Sequence, residues 1–392
     1  MTINLPQQKE PPASTAPNEV SNQSSATEAA KPKQNKINDL YHWLEKFSTI
    51  PISEKLFFVQ YLGIMLKAGI SLSIALKTLA KQTKNKRFSR IISDVASNVE
   101  KGVSFTESLR PYEKVFGQLF INMIESGEIS GKLEEVLKKL YIQFKKNHEL
   151  VSKVKGALTY PVVILVAMAG IGIFMMMVVV PKITAMFKDF NAELPLPTKL
   201  LIQFSGSLVD HGLIYLIASI VLILILKQLT ATRRGKLIFH ALLLKLPIFG
   251  PIIKKINLAR FARTISSLLK TDIMIIKSFQ ITAQVLGNMH YREALSGMGD
   301  KIKKGGTINE VITDYQKLFP PVVVQMIAVG EETGELDYVL EELAEFYEGE
   351  IDQTMNNLPA VIEPILILTL GLVVGGMAVA IIMPMYSLTS AI

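Results

Sequence analysis

Residues 127–137 read GEISGKLEEVL, and residues 330–340 read GEETGELDYVL. The two stretches share Gly-Glu-x-x-Gly followed by a leucine, Leu133 or Leu336, at a separation of 203 positions (330 − 127 = 203). The same offset carries Leu66-Lys67 onto Leu269-Lys270, Pro161 onto Pro364 and Pro181 onto Pro384, with no gap between anchors. A repeat of this length marks a duplicated domain, not a solenoid of short units. In each copy a polar, helix-patterned stretch leads into a long apolar run.

The 392 residues allow two or three domains. A 49% hydrophobic content and a mean hydropathy of +0.33 point to membrane segments. The absence of Cys excludes disulfides, thiolate nucleophiles and Cys-ligated zinc. The net charge of +8 fits basic flanks of membrane spans resting on anionic membrane lipid, so no nucleic-acid partner is expected. His42, His148, His211, His240 and His290 are scattered and form no metal pair on a helix face. With no nucleophile beside a base and no acidic dyad, neither a catalytic site nor a cofactor or metal site is expected, and the chain reads as a non-enzyme.

Residues 1–36 hold Pro6, Pro11, Pro12, Pro17 and Pro32 among small polar residues. Such a segment cannot bury enough apolar area to offset its ordering entropy and reads as a disordered polar tail. It lacks the basic-then-apolar start of a secretory signal, so the amino terminus is expected in the cytoplasm. A short linker (37–52) precedes a first helical bundle (53–158). Apolar runs at 159–180, 208–226 and 360–384 each match the ~20 helical residues a bilayer core demands. Lys138, Lys139, Lys145, Lys146, Lys153 and Lys155 precede the first run, and Lys227, Arg233, Arg234 and Lys236 follow the second. By the positive-inside rule both flanks are cytosolic. The loop 181–207, carrying only Lys182, Lys188 and Lys199, then lies outside. The second bundle (227–359) is cytosolic again, and a short tail (385–392) ends outside. The middle span returns the chain, so both copies enter the membrane from the same side, parallel about an axis along the membrane normal. The expected fold class is an all-α membrane protein with two duplicated cytoplasmic bundles and three transmembrane helices.

Leu133, Val136, Leu137, Leu140, Phe144 and Val151 fall on one helical face, and Leu336, Leu340, Leu343 and Tyr347 repeat that stripe. Gly127 and Gly330 are expected as left-handed caps of the preceding helices, with Ser130 and Thr333 as N-caps of the next. Glu128 and Glu331 then sit at corners, with Gly131 and Gly334 closing them. Each corner reads either as turn geometry or as an exposed acidic contact with a partner. A nucleotide loop is a poor reading, because the spacing is one residue short and Leu133 stands where Ser or Thr must hold magnesium. Lys132, Lys138, Lys139 and Lys145 become Glu335, Glu341, Glu342 and Glu348 in the second copy, either as solvated faces or as surfaces that pair. Pro161 and Pro364 mark the bundle–span junctions as helix starts, kinks or hinges. Gly371 and Gly375 have the small-residue spacing of a helix contact, within or between chains. Glu363 reads as a first-turn carboxylate at the membrane interface.

Three further stretches complete a set: Leu194-Pro195-Leu196-Pro197-Thr198-Lys199, Lys245-Leu246-Pro247-Ile248-Phe249-Gly250-Pro251, and Lys254, Leu258, Arg260, Phe261 and Arg263. In this order, with the paired corners and three spans, 53–387 closely resembles the inner-membrane platform proteins of type IV pilus assembly and type II secretion. The resemblance implies a platform in the bacterial inner membrane. Its implied partners are a hexameric cytoplasmic assembly ATPase, pilin or pseudopilin subunits and inner-membrane alignment proteins, with homo-oligomerisation expected as well. It implies coupling of the motor to insertion or extraction of pilins, with the equivalent secretion platform as the alternative. A transporter would need paired charges or broken helices at mid-membrane. The corners, Lys254, Arg260 and Arg263, and the two prolines are the expected contact and hinge residues. The family usually has Gly where this chain has Asp272, so a different first turn is expected in the second bundle.

Overall fold

The computed structural model describes residues 49–188 and 196–389. The expected disordered tail 1–36, most of the linker 37–52, the tip of the 181–207 loop and the last residues of the 385–392 tail lie outside the described residues. The first bundle comprises α1 (Ile52–Lys67), α2 (Leu72–Gln82), α3 (Lys86–Glu100), α4 (Phe105–Leu109), α5 (Glu113–Phe116), α6 (Gln118–Ile129) and the start of α7 (Leu133–Phe174). After a π-helical turn at Met175–Val179 come α8 (Val180–Lys188), α9 (Leu196–Ala231) and α10 (Arg233–Lys245). The second bundle comprises α11 (Phe249–Leu269), α12 (Ile275–Val285), α13 (Met289–Lys303), α14 (Ile308–Thr313), α15 (Pro321–Thr333) and the start of α16 (Leu336–Thr389). No strand occurs among the described residues. Shifting α2 or α3 by 203 positions reproduces the bounds of α12 or α13 (275 − 72 and 289 − 86), so the duplication governs structure as well as sequence.

Local chemistry explains the repeated elements. Asn85 Oδ1 accepts the Phe88 N–H at 3.0 Å and starts α3; Asn288 Oδ1 accepts the His290 N–H at 2.9 Å and starts α13. Phe88, Ile91, Ile92, Val95 and Ala96 form the buried stripe of α3, and Tyr291, Ala294, Leu295 and Met298 that of α13. Each core is built on aromatic rings at matched positions. Phe58, Phe88 and Phe116 lie 5.6–5.9 Å apart. Their counterparts Phe261 and Tyr291 lie 5.1 and 5.6 Å from Phe319. Edge-on pairs of this kind stabilise by ~0.5–1.5 kcal/mol beyond simple burial.

The bundles are not separate heads. Leu268, Ile273 and Ile281 of the second copy belong to the first core, and Leu150 of the first belongs to the second. Gln143, buried on α7, donates to Thr264 Oγ1 and accepts from Ser267 Oγ, both at 3.2 Å. Ser126 Oγ donates to the Thr271 carbonyl at 2.6 Å.

Three helices are long and apolar enough to cross a membrane, within Leu133–Ala185, Thr198–Ala231 and Leu336–Ala380. The span-bearing helices α7 and α16, here called stems, begin inside the bundles and run through Pro161 and Pro364 as unbroken helix. Val162, Leu165, Leu213, Leu222, Leu368 and Leu372 are more than half exposed, as lipid-facing side chains must be. The 181–207 stretch is not an open loop: α8 and the start of α9 make it helical outside 189–195. Apolar residues at Leu200, Leu201 and Phe204 continue the α9 pattern, and Pro197 at the second helical position lacks only an N–H that a first turn leaves unpaired. The spans are tied where Ser205 Oγ donates to the Met176 carbonyl in the π turn and where Thr198 Oγ1 donates to the Ala380 carbonyl at 2.7 Å.

The first turn of the second bundle does not differ. Asp272 has φ 59°, matching Gly69 at φ 77°, and the Asp272 and Ile273 N–H groups close the end of α11 as Gly69 and Ile70 close α1. Asp is among the few non-glycine residues that adopt this conformation. Asp272→Val should therefore lower stability by about 1–2 kcal/mol while Asp272→Gly stays within about 1 kcal/mol of the parent. Thermal unfolding of the full chain checks this, and equal losses from both changes would contradict it.

Candidate functional site

Each Gly-Glu-x-x-Gly corner divides its labour differently from the sequence expectation. Gly127 is not the left-handed cap; it is helical and buried in the last turn of α6. A Cβ there would stand 2.8 Å from Val136 Cγ2 and 3.2 Å from Leu133 Cα. At Gly330 the corresponding distances are 3.0 Å to Leu336 Cα and 3.3 Å to Val339 Cβ. The missing side chain lets the stem fold back against the helix before it. The left-handed residues are Gly131 (φ 70°) and Gly334 (φ 76°). Around Gly131, the Lys132 N–H donates to the Gly127 carbonyl at 2.9 Å and the Gly131 N–H to the Glu128 carbonyl at 3.4 Å, a Schellman closure. Ser130 and Thr333 do not start the stems: each hydroxyl donates back into its own helix, to Ser126 and Val329, at 2.8 Å. Because Gly127–Ile129 are helical, their N–H groups are committed and no phosphate cradle exists at the first corner.

Glu128 and Glu331 are half-buried and point inward. Glu128 accepts the Phe105 N–H at 2.6 Å, the Thr106 N–H at 2.9 Å and the Thr106 hydroxyl at 2.6 Å. Glu331 accepts the Ile308 N–H at 2.7 Å and the Asn309 N–H at 2.9 Å. Each carboxylate thus caps a short helix, α4 or α14, that has one turn of its own and needs outside support. The two corners share no hydrogen bond or ion pair among the described residues.

The basic run of α11 also turns inward. Arg263 is buried and donates to Glu348 at 2.9 and 3.0 Å, with Glu341 at 3.4 Å and Glu345 at 3.7 Å. Burial disfavours its charge, but the hydrogen bond and charge of Glu348, with Glu345 and Glu341, outweigh that and raise its pKa above the ordinary value. Lys270 also pairs with Glu341. Glu341 and Glu348 are therefore not partners of the lysines at the matched positions; they neutralise Arg263, whose counterpart in the first copy is Gln60. The stems do pair, one step along, through Lys146–Glu348 at 3.2 Å and Lys153–Asp352.

Arg260 lies in a cleft of about 350 Å³ between the bundles, where Phe116, Phe144 and Gln143 face Arg263 and Glu348. Its Nε is buried without a partner, and burial lowers its pKa. The cleft lining holds no Ser, Thr or His, and no cluster of metal ligands occurs among the described residues. Lys254 is half-buried; its neighbour Lys255 makes the bond to the stem, with Glu350 at 2.9 Å and Thr354 at 3.0 Å. Pro161 is buried at the base of the first span and Pro364 exposed at the base of the third. A Cβ at Gly371 or Gly375 would meet nothing within 4 Å, so the small-residue pair makes no close contact inside the chain among the described residues. The ties that Gln143, Lys146, Lys153 and Lys255 make between helices were missed by sequence reasoning, which had Lys146 and Lys153 only as a basic flank of the first span. Only Gln143 left a signal, as a polar residue against the apolar stripe.

The fold and these ties define a polytopic membrane protein made by duplicating one unit, a helical bundle joined to a stem that becomes a span. The chain belongs to the type II secretion system protein F family, whose model matches it twice, at 58–181 and 261–384. Both matches keep the 203-residue offset (261 − 58). The type IV pilus assembly protein PilC of Myxococcus xanthus is 34% identical over 88% of this chain and 83% of its own length. The PilC protein of Thermus thermophilus is 35% identical over 84% and 81%. The type II secretion system protein F of Aeromonas hydrophila is 29% identical over 87% of both.

Glu128→Gln and Glu331→Gln should each cost about 1–2 kcal/mol, through weaker capping of α4 or α14. Hydrogen exchange of the Phe105–Thr106 or Ile308–Asn309 amides would show it; unchanged protection would mean the caps are idle. Arg263→Met should cost about 3–5 kcal/mol by leaving three carboxylates together. Adding Glu348→Gln should recover part of the loss in thermal unfolding, and no recovery would contradict the charge account.

Proposed function

We propose that this chain is the inner-membrane platform of a type IV pilus assembly machine, with its amino terminus and both bundles in the cytoplasm. One observation carries the reading: the doubled family match coincides with a doubled bundle-and-stem unit. The relatives at 34% and 35% identity carry the pilus name, and the secretion relative stands at 29%, which favours the pilus over a secretion platform.

The role is mechanical, not catalytic. A hexameric cytoplasmic ATPase engages the fused bundles, and pilin subunits are inserted or extracted beside the spans. Inner-membrane alignment proteins and further copies of the chain complete the assembly. The interlocked cores support this, because a push on either bundle is passed to both. The stems carry it onward as continuous helices of 42 and 54 residues. Pro161 and Pro364 are the hinges. Each lacks the N–H that would bond the carbonyl four residues back, at Ala157 or Ala360, so each stem misses one rung where its span begins. Gly371 and Gly375, with no close contact among the described residues, face a second copy or a pilin. The corners serve this role from inside the bundle, by aiming the stems.

Copurification of the full chain with the motor ATPase, and loss of surface pili on its deletion, test the platform reading. Normal piliation after deletion, or ATP turnover by the isolated chain, would overturn it. Pro161→Ala and Pro364→Ala restore a rung and stiffen the junction; piliation should fall several-fold at unchanged protein level. Full piliation in both variants would end the hinge account.

A further inference from the structure

Helix α10 has two faces with different fates. Its inner face docks on the second bundle: His240 Nδ1 accepts the Met289 N–H at 2.9 Å, and His290 Nε2 bonds the Leu237 carbonyl at 3.1 Å. Its outer face is uncovered among the described residues. Ile238 is 72% exposed, Leu242 58% and Phe239 44%. At 100° per residue, Arg234, Ile238, Leu242 and Lys245 fall on one strip about 80° wide. Both cations on that strip are exposed and unpaired among the described residues, one at each end.

The depth of α10 is set at its first end, and its second end is held on the bundle. Its first residue follows α9, the helix whose apolar run ends at Leu226, by one position, after Thr232 Oγ1 caps the helix by accepting the Gly235 N–H at 3.1 Å. At the other end, Leu244 and Ile248 pack on the core cluster that contains Leu358 and touches Ile362, where the third span begins. The start of the helix therefore lies next to the point where the second span leaves the bilayer. A bend of 110° separates it from α11, so the two do not form one straight crossing. An apolar strip closed by two cations, at that level, matches acyl chains beneath anionic headgroups.

We propose that α10 is an interfacial helix: Ile238, Phe239 and Leu242 enter the acyl boundary of the leaflet facing the bundles, and Arg234 and Lys245 hold anionic lipid phosphates. The second bundle is thereby fixed to the membrane surface as well as by its span. The inference rests on the three-span reading, and its test separates the two.

The chain has no Cys, so single labels are straightforward. Ile238→Cys, Leu242→Cys, Lys236→Cys and Ile220→Cys, each in the full chain in nanodiscs of phosphatidylcholine with phosphatidylglycerol, would carry a nitroxide. Lys236 lies about 160° round the helix from Ile238 and serves as the water-facing reference; Ile220 reports the second span. Positions 238 and 242 should show an oxygen-to-nickel-chelate collision ratio several-fold above that at 236 and below that at 220. A ratio at 238 and 242 equal to that at 236 overturns the proposal. Low collision with both reagents there means protein packing, as against a second copy, and also overturns it. A water-like ratio at 220 would instead defeat the span itself. The ratio at 238 should drop when phosphatidylglycerol is omitted, and also in Arg234→Gln/Lys245→Gln; no change in either removes the headgroup contacts.

Discussion

The direction of each stem is set by one absent Cβ and one carboxylate. Gly127 and Gly330 let a helix leave its corner in contact with the helix it has just left. Glu128 and Glu331 tie that corner to a third helix 22–23 residues earlier in the chain. Without the first, the stem would have to swing outward. Without the second, the short helix that braces the corner would lose its cap. Everything further along the stems, including where they meet the bilayer, inherits this angle.

Much of this was legible in the sequence, because helix periodicity and bilayer length are local signals. The duplication, the three spans and the apolar stripes of the stems needed only spacing. The corners were harder. Two glycines four residues apart bracket the turn, and spacing does not say which of them takes the left-handed conformation. The answer depends on packing: Val136 and Leu133 crowd Gly127 from outside its own helix, so that glycine is spent on close approach. The partners of Glu128 were invisible, since nothing local connects a corner to Phe105 and Thr106. At Asp272 the family resemblance suggested a changed turn, and backbone chemistry kept it the same as in the first copy.

The charge reversal between copies shows why matched positions need tertiary context. Read along one helix, Lys138 and Lys145 against Glu341 and Glu348 look like two complementary surfaces. Read across helices, the glutamates answer Arg263 on α11, which replaces the uncharged Gln60 of α1. A buried guanidinium demands charge and hydrogen bonds together, so Arg263 and its carboxylates work as one unit. The remaining exposed pair between the stems, Lys153–Asp352, adds at most ~1 kcal/mol and serves register more than stability.

Duplication also explains why the bundles lock together. Two stems that leave their bundles side by side place those bundles shoulder to shoulder. Apolar residues at that boundary must be covered or lost to water. Leu268 and Leu150 resolve this by entering the opposite core, and Gln143 satisfies its amide between Thr264 and Ser267. The price of such a seam is that the bundles cannot rotate independently without exposing both cores. On the proposed hinge reading, relative motion is left to places outside the seam: the missing rungs at Pro161 and Pro364, and the π turn at Met175–Val179, where regular helix bonding is already broken. A double head locked by one seam, above stems that each miss a rung at the base of their span, is the arrangement that the proposed mechanical role calls for.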